Sequence, residues 1–312
     1  MNDLNKTILK IKKKFGEETI GKVKDLKQVA IEKISTGSPY LDWATNGGFP
    51  RGRTVEIYGP YSSGKTLCVL RTIISAQKLG LSCVFIDSER AFDPKFAEKL
   101  GVDLSKLILV RETEGEKVFN IIDMLLQGDV GIITVDSVAS LVPQFEAEEN
   151  IERQTMALQA RLMSKALRKL TGAISKSNTL VIFINQVREA VGKYGNPEVT
   201  SGGRALGFYA SLRVEIRKGD WILEDKKKIG HVIKFRVTKS KICPAWKEGQ
   251  FKYYYKGFFD EESEILNLLL ISGKIKRMGA WYEVLGKRFQ GKQELTDYIK
   301  KDKKFKEKLL KL

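Results

Sequence analysis

The chain has 312 residues, 42% of them hydrophobic, enough for one substantial core plus a small extra module. With 55 Lys and Arg against 38 Asp and Glu the formal net charge is +17, which points toward a polyanionic partner as readily as toward a plain basic surface. No apolar run approaches the ~18–20 residues needed to span a bilayer, and the Lys-rich opening lacks the apolar stretch and small-residue cleavage site of a secretory signal.

Leu4, Ile8, Ile11 and Phe15 recur at helical spacing among Lys6, Lys10, Lys12, Lys13 and Lys14, predicting an amphipathic helix. Its apolar stripe needs cover, from this subunit or from a neighbour. A polar stretch from Gly21 to Gln28 separates it from the body, so residues 1–28 are read as a packing helix with its linker. Residues 29–260 read as the core, with strands at Thr54–Tyr58, Ser82–Asp87, Leu107–Val110, Gly131–Asp136 and Thr179–Asn185. Their nearly continuous apolar character fits strands covered on both faces, hence a mostly parallel sheet flanked by helices such as Glu116–Leu126 and Met156–Ser175. Beyond Ser211, the runs Leu212–Arg217, His231–Thr238 and Phe251–Tyr255 are expected as antiparallel additions. Residues 261–312 form a small α+β C-terminal domain. The fold class is α/β. Cys68, Cys83 and Cys243 are too scattered for a disulfide framework or a zinc site, and a reducing cytoplasm is the expected compartment. The lone His231 lies in an apolar strand, where packing explains it better than metal binding.

The first strand runs into Gly59, Pro60, Tyr61, Ser62, Ser63, Gly64, Lys65 and Thr66, with Leu67 continuing into a helix. The spacing G-x-x-x-x-G-K-T predicts a phosphate-binding loop. Glycines let backbone N–H groups turn around phosphate oxygens, and the helix N-terminus adds its positive end. Lys65 would reach the β- and γ-phosphates, and Thr66 would ligate Mg2+. In a parallel sheet the reacting groups collect at the C-terminal strand ends. Asp136 ends one strand and could hold Mg2+ through a water; Glu89 follows another and could deprotonate an attacking water. Gln186 ends a third, where its amide could sense the γ-phosphate. Lys239 and Lys241 are two apart and share a strand face, by themselves an ordinary solvated edge.

These blocks, together with Ile34-Ser35-Thr36-Gly37-Ser38, Phe85–Glu89, Val135–Ala139, Phe183–Gln186, Phe208–Ser211, Lys239–Ile242 and Gly279–Tyr282, resemble the bacterial and phage-type RecA recombinases over almost the whole chain. The resemblance implies a RecA-like P-loop ATPase core. It implies a DNA-dependent ATPase that forms helical homo-oligomeric filaments on single-stranded DNA, pairs it with homologous duplex DNA, and exchanges strands during repair. Asp93 and Phe96 match positions around the adenine, and Tyr255 one that packs on it from the adjoining subunit. Lys239 and Lys241 match lysines that reach the neighbour's γ-phosphate. Gln144–Thr155 and Gln186–Gly203 match the two DNA loops. There Met156 and Val191 would wedge between base triplets, Arg161, Arg168 and Arg188 would meet phosphates, and Gly202 and Gly203 would allow close backbone approach. Cleavage of a self-cleaving repressor is a further activity of such filaments, and the family gives no membrane partner.

Several residues depart from the family pattern. Tyr61 replaces an acidic residue, and Glu149, Glu152 and Ala157 stand where glycines are common. The chain ends basic where an acidic tail is frequent. Two other readings share the core: a ring-forming helicase motor, and a non-catalytic mediator scaffold.

Overall fold

Residues 3–21, 31–148, 156–189 and 198–310 are described in the computed structural model, in two units divided after Glu32. The first unit is the helix α1 (Asp3–Phe15) followed by a single 3-10 turn. Lys12, Lys13 and Lys14 occupy its last turn, where the helix dipole favours cations. No residue of α1 is buried; within its apolar stripe Leu4 and Phe15 are exposed and Ile8 and Ile11 half-buried.

The second unit opens with β1 (Lys33–Ile34), α2 (Pro39–Ala44) and β2 (Phe49–Pro50). Then come β3 (Thr54–Gly59), α3 (Lys65–Lys78), β4 (Cys83–Asp87), α4 (Pro94–Leu100), β5 (Leu107–Val110), α5 (Gly115–Leu125) and β6 (Ile132–Asp136). After α6 (Gln144–Glu148) and α7 (Met156–Ser177) the chain makes β7 (Leu180–Glu189), β8 (Glu198–Thr200), α8 (Ala205–Tyr209), β9 (Leu212–Glu224), β10 (Lys227–Ser240), β11 (Glu248–Tyr254) and β12 (Phe258–Phe259). The last part holds α9 (Glu261–Ile271), β13 (Lys276–Met278), β14 (Trp281–Val284), β15 (Lys287–Gln290), α10 (Gly291–Lys301) and α11 (Lys303–Leu310).

The large sheet runs β12-β11-β10-β9-β3-β7-β6-β4-β5, with β8 paired to β7. Alternating side chains on each strand serve two cores. On β4, Cys83 and Phe85 join the cluster under α3, while Val84 and Ile86 join the cluster under α5 and α7. One strand departs from the expected geometry. β9 is parallel to β3, with Glu56 opposite Arg213 and Tyr58 opposite Glu215; β10, β11 and β12 follow it as antiparallel additions, and β8 pairs antiparallel to β7. The connection through α8 brings the chain back to the start of β3, where Ser211 N donates to Thr54 O at 2.8 Å and sets the parallel register. β9 and β10 also extend beyond their apolar cores into a long hairpin closed by Asp225 and Lys226, both in the left-handed region.

Residues from α9 onward have their own apolar cluster, including Leu266, Tyr282, Phe289, Leu295 and Ile299. A buried hydrogen-bonded contact ties this cluster to α3: Arg71 Nη1 lies 3.0 Å from Glu264 Oε1, and the Ser38 hydroxyl donates to the same carboxyl group. The guanidinium also sits against the rings of Phe251 and Phe259, at 5.0 and 4.1 Å from their centroids.

Candidate functional site

The phosphate loop is shaped by the sheet on which it lies. A Cβ at Gly59 would sit 1.9 Å from Ile216 O on β9, and one at Gly64, which has φ +98°, would sit 2.7 Å from Ile233 Cδ1 on β10. Gly59 is therefore required by packing against backbone and Gly64 by its left-handed backbone, in addition to any approach of phosphate. Lys65 opens α3 and is buried; its ammonium donates to Pro60 O at 2.7 Å and Gly59 O at 3.1 Å. Burial lowers its pKa, opposed by Asp136 and Glu89. Ser63 Oγ is buried without a protein partner, Leu67 packs into the core, and Tyr61 projects with 86% exposure.

Thr66 Oγ1 donates to Asp136 Oδ2 at 2.8 Å, joining the start of α3 to the end of β6. Burial, with Glu89 and Asp87 close by, raises the Asp136 pKa to about 6 despite the Thr66 hydrogen bond and Lys65. Two hard oxygen donors this close, one of them a carboxylate short of counter-charge, suit a small divalent cation such as Mg2+. Among the described residues no group of three or more His, Cys, Asp or Glu could hold a metal ion.

Glu89 lies beside this pair. The ends of β4 and β6 are laced together, with Ser88 N and Glu89 N both directed at Asp136 O at 2.9 and 3.2 Å. Glu89 Oε1 accepts from the Ser137 hydroxyl and from Gln186 Nε2, the latter at 2.9 Å. The structure thus brings together Lys65, Thr66, Glu89 and Asp136 from beyond or at the ends of β3, β4 and β6 with Gln186 from within β7, which runs on to Glu189 instead of ending at Asn185. Asp87, in the same strand end as Glu89, instead accepts from Ala91 N and Phe92 N and shapes the turn.

Other expected residues lie elsewhere. Asp93 caps α4, its Oδ1 accepting from Lys95 N at 2.9 Å and Phe96 N at 3.2 Å; Phe96 is half-buried against the core. Tyr255 follows β11, 41% exposed, and its carbonyl accepts from Lys99 on α4 at 3.0 Å. Its ring adjoins His231, which is buried among Trp221, Tyr253 and Tyr255. Lys239 is half-buried on β10 and donates to Gly207 O and Phe208 O of α8 at 2.6 and 2.8 Å. Lys241 lies past the end of β10 and is exposed. A register shift after Val237 further changes the regular alternation assumed for the two lysines. Burial lowers the Lys239 pKa, helped by Lys241 and Arg213.

Arg161 and Arg168 are exposed on α7 and Arg188 near the end of β7; Met156 is the first residue of α7, and Val191 lies outside the described residues. Gly202 and Gly203 have φ +75° and +73°, and Cβ atoms there would come within 3.0 Å of Met163 and Val138 and 2.9 Å of Ala160. They fit the exit of the second loop onto α7. Gln159 fastens the contact, donating to Val138 O and Leu141 O and accepting from Gly202 N. Sequence reasoning assigned no role to Gln159, Ser137, Glu56 or Arg213. Only Ser137 left a local signal, its place directly after Asp136.

A model of the RecA N-terminal domain matches residues 2–259. The chain belongs to the RecA family. It is 42% identical to the RecA protein of Streptomyces venezuelae over 95% of this chain and 80% of that one. It is 43% identical to that of Acinetobacter baylyi, over 96% and 87% respectively. For Chlorobaculum parvum the identity is 44%, over 97% and 88%. The RadB recombinase structure shares the fold, with a TM-score of 0.54 at 24% identity, covering 72% of this chain and 97% of that one. The chain is accordingly a RecA-type recombinase and a DNA-dependent ATPase, and neither the helicase nor the scaffold reading is favoured. No helix among the described residues is long and apolar enough to cross a membrane.

Proposed function

We propose that this recombinase, in the cytoplasm, hydrolyses ATP at a seam between consecutive protomers of a filament on single-stranded DNA, and that the same seam controls the grip on that strand. One protomer supplies the phosphate loop, Thr66, Asp136, Glu89 and Gln186; the next supplies Lys239, Lys241 and Tyr255. In support, the charges near Lys65 are Asp136 and Glu89, whereas those near Lys239 are Lys241, Arg213 and Glu56. The two lysines thus belong to two separate charge neighbourhoods. A head-to-tail interface that does not close generates a helical filament, and the open stripe of α1 is the natural cover between copies.

In this reading Lys65 leaves the Gly59 and Pro60 carbonyls for the β- and γ-phosphates, and Glu89 takes the proton of the attacking water. Thr66 and Asp136 would hold Mg2+, which when bound neutralises charge on phosphate oxygens. Lys239, released from α8, would neutralise the charge that builds on the transferring group. Asp93, Phe96 and the neighbour's Tyr255 would enclose the adenine. Arg161, Arg168, Arg188, Gly202 and Gly203 would follow the DNA backbone while Met156 and Val191 separate bases, so homology with the duplex is tested by base pairing alone.

The observation that carries the coupling is Gln186. Its side chain donates to Glu89, and its carbonyl accepts from Ser201 N at 3.2 Å, at the exit of the second loop. A group that touches both base and loop makes ATP and DNA strengthen one another's binding, as linkage requires. The seam is tested by mixing Lys65→Ala and Lys239→Ala chains, each inactive alone. Composite sites assembled head to tail should restore about a quarter of wild-type hydrolysis; no recovery would place both lysines in one protomer's site. Repressor co-cleavage would be checked separately, by adding a self-cleaving repressor to the same filaments.

A further inference from the structure

Glu56 lies in the middle of β3, flanked by the apolar core residues Val55 and Ile57, and is wholly buried. A carboxylate there is costly unless it is paired and hydrogen-bonded. Both of its oxygens have partners from neighbouring strands. Oε1 accepts from Asn185 Nδ2 at 2.9 Å, and Oε2 accepts from Arg213 Nε at 2.5 Å. An apolar residue would fill that place at less cost, so the charge calls for a reason beyond stability.

The two partners lead in opposite directions. Asn185 precedes Gln186: its Nδ2 also donates to Ser201 O at 3.0 Å, and its Oδ1 accepts from Gln186 N at 2.9 Å. It therefore fixes both the sensor and the exit of the second loop. Arg213 lies opposite Glu56 in the β3–β9 register and opposite Lys239 in the β9–β10 register. Its guanidinium stacks on Tyr58 at 4.6 Å and lies 3.5 Å from where a Cβ of Gly207 would be. Gly207 is one of the two residues whose carbonyls hold Lys239. One row thus runs from Gln186 and Ser201 through the buried Asn185 and Glu56 and the half-buried Arg213 to α8 and Lys239.

We infer that Glu56 is a positioning residue that makes the two half-sites of one protomer report to each other: the γ-phosphate sensor at Gln186 and the lysine at Lys239 that serves the adjoining protomer's nucleotide. A shift of Asn185 moves one oxygen's donor, and Arg213 on the other oxygen carries the change to the helix that grips Lys239. Along a filament this passes the state of one nucleotide to the next. The inference rests on the proposed seam, and its test separates the two.

The test compares wild type, Glu56→Gln and the doubly neutral Glu56→Gln/Arg213→Met. For each, single-stranded DNA affinity with and without a non-hydrolysable ATP analogue, the Hill coefficient of ATP hydrolysis on DNA, and thermal stability are measured. The amide keeps the volume of Glu56 but loses the charge that pairs with Arg213; the double variant removes the orphaned charge as well. Wild type should show a nucleotide-dependent gain in DNA affinity of about tenfold or more and cooperative hydrolysis. Both variants should bind nucleotide without DNA as wild type does, with the gain cut to about threefold or less and the Hill coefficient near one. If the double variant matches wild type in stability, nucleotide gain and cooperativity, Glu56 only packs the sheet and the inference is overturned. If Glu56→Gln does not fold, the folded double variant decides by the same readouts. Failure of wild type itself to show any nucleotide-dependent gain would instead overturn the proposed seam, and the inference with it.

Discussion

Gln186 Nε2 donates to Glu89 Oε1 at 2.9 Å, so the amide proposed as sensor and the carboxylate proposed as base form one hydrogen-bonded unit. With the Ser137 hydroxyl on the same oxygen, Glu89 Oε1 accepts from two donors that fix the carboxylate in place. Removal of the carboxylate and removal of the amide should then separate chemistry from coupling. Glu89→Gln is expected to lower kcat by about 10^2- to 10^4-fold while nucleotide binding persists. Gln186→Ala should leave DNA affinity nearly indifferent to the ATP analogue. Filter binding beside single-turnover hydrolysis reads both; a Gln186→Ala chain that keeps its nucleotide-dependent DNA grip would disprove the coupling.

The Thr66–Asp136 pair should be read through magnesium dependence. Asp136→Asn keeps an oxygen but loses the charge, and an outer-shell partner of this kind changes metal affinity by about 10- to 100-fold. The midpoint of a Mg2+ titration of nucleotide binding should rise by that factor, with metal-free nucleotide binding unchanged. An unmoved midpoint would remove Asp136 from the metal's surroundings.

How far these residues were legible in sequence follows from how local their constraints are. The phosphate loop is a contiguous pattern, and Asp136 ends an apolar run, which marks a strand terminus directly; Gln186 also follows an apolar run, but β7 continues past it to Glu189. Glu56 gave no such sign, because a carboxylate between Val55 and Ile57 makes sense only once β7 and β9 bring Asn185 and Arg213 to it. The length and parallel start of β9 were hidden for a related reason. Its outer half carries Lys218, Asp220 and Glu224 beside the exposed Trp221 and Leu223 and lies outside the core, and its direction is set by the α8 connection rather than by any residue pattern. Asp93, Phe96 and Tyr255 acquired a nucleotide role from family resemblance alone; locally, Asp93 reads as the helix cap that it forms.

Gly203 offers a test of how the second loop is fastened. Its φ of +73° and the 2.9 Å approach of a Cβ to Ala160 mean that Gly203→Ala both strains the backbone and presses on α7. Holding a non-glycine residue in that region costs roughly 1–3 kcal/mol. Single-stranded DNA affinity with the ATP analogue should fall, and Ala160→Gly in the same chain should restore only part of it, since it relieves the contact but not the backbone. Full rescue would show that strain at Gly203 is immaterial, and no loss at all would show that the loop exit does not govern DNA binding.

Glu264 makes the attachment of α9 to α3 dependent on pH. Burial raises its pKa from 4.5 to about 7, against the lowering effects of Arg71 and Ser38. In the unfolded chain the carboxyl ionises near its ordinary value, so between the two pKa values the folded state holds a proton that the unfolded state has released. The resulting stabilisation is complete below pH 4.5 and is lost as the pH climbs through about 7. Glu264→Gln imitates the protonated acid at every pH and has no such loss. Its Tm should therefore match that of wild type near pH 4.5 and rise above it by a few degrees toward pH 7 and beyond, while the infrared absorption of protonated carboxylic acid at pH 6 decreases. Parallel Tm curves for the two chains over that range would show that Glu264 is already ionised against Arg71 throughout, and that charge attraction outweighs burial in this contact.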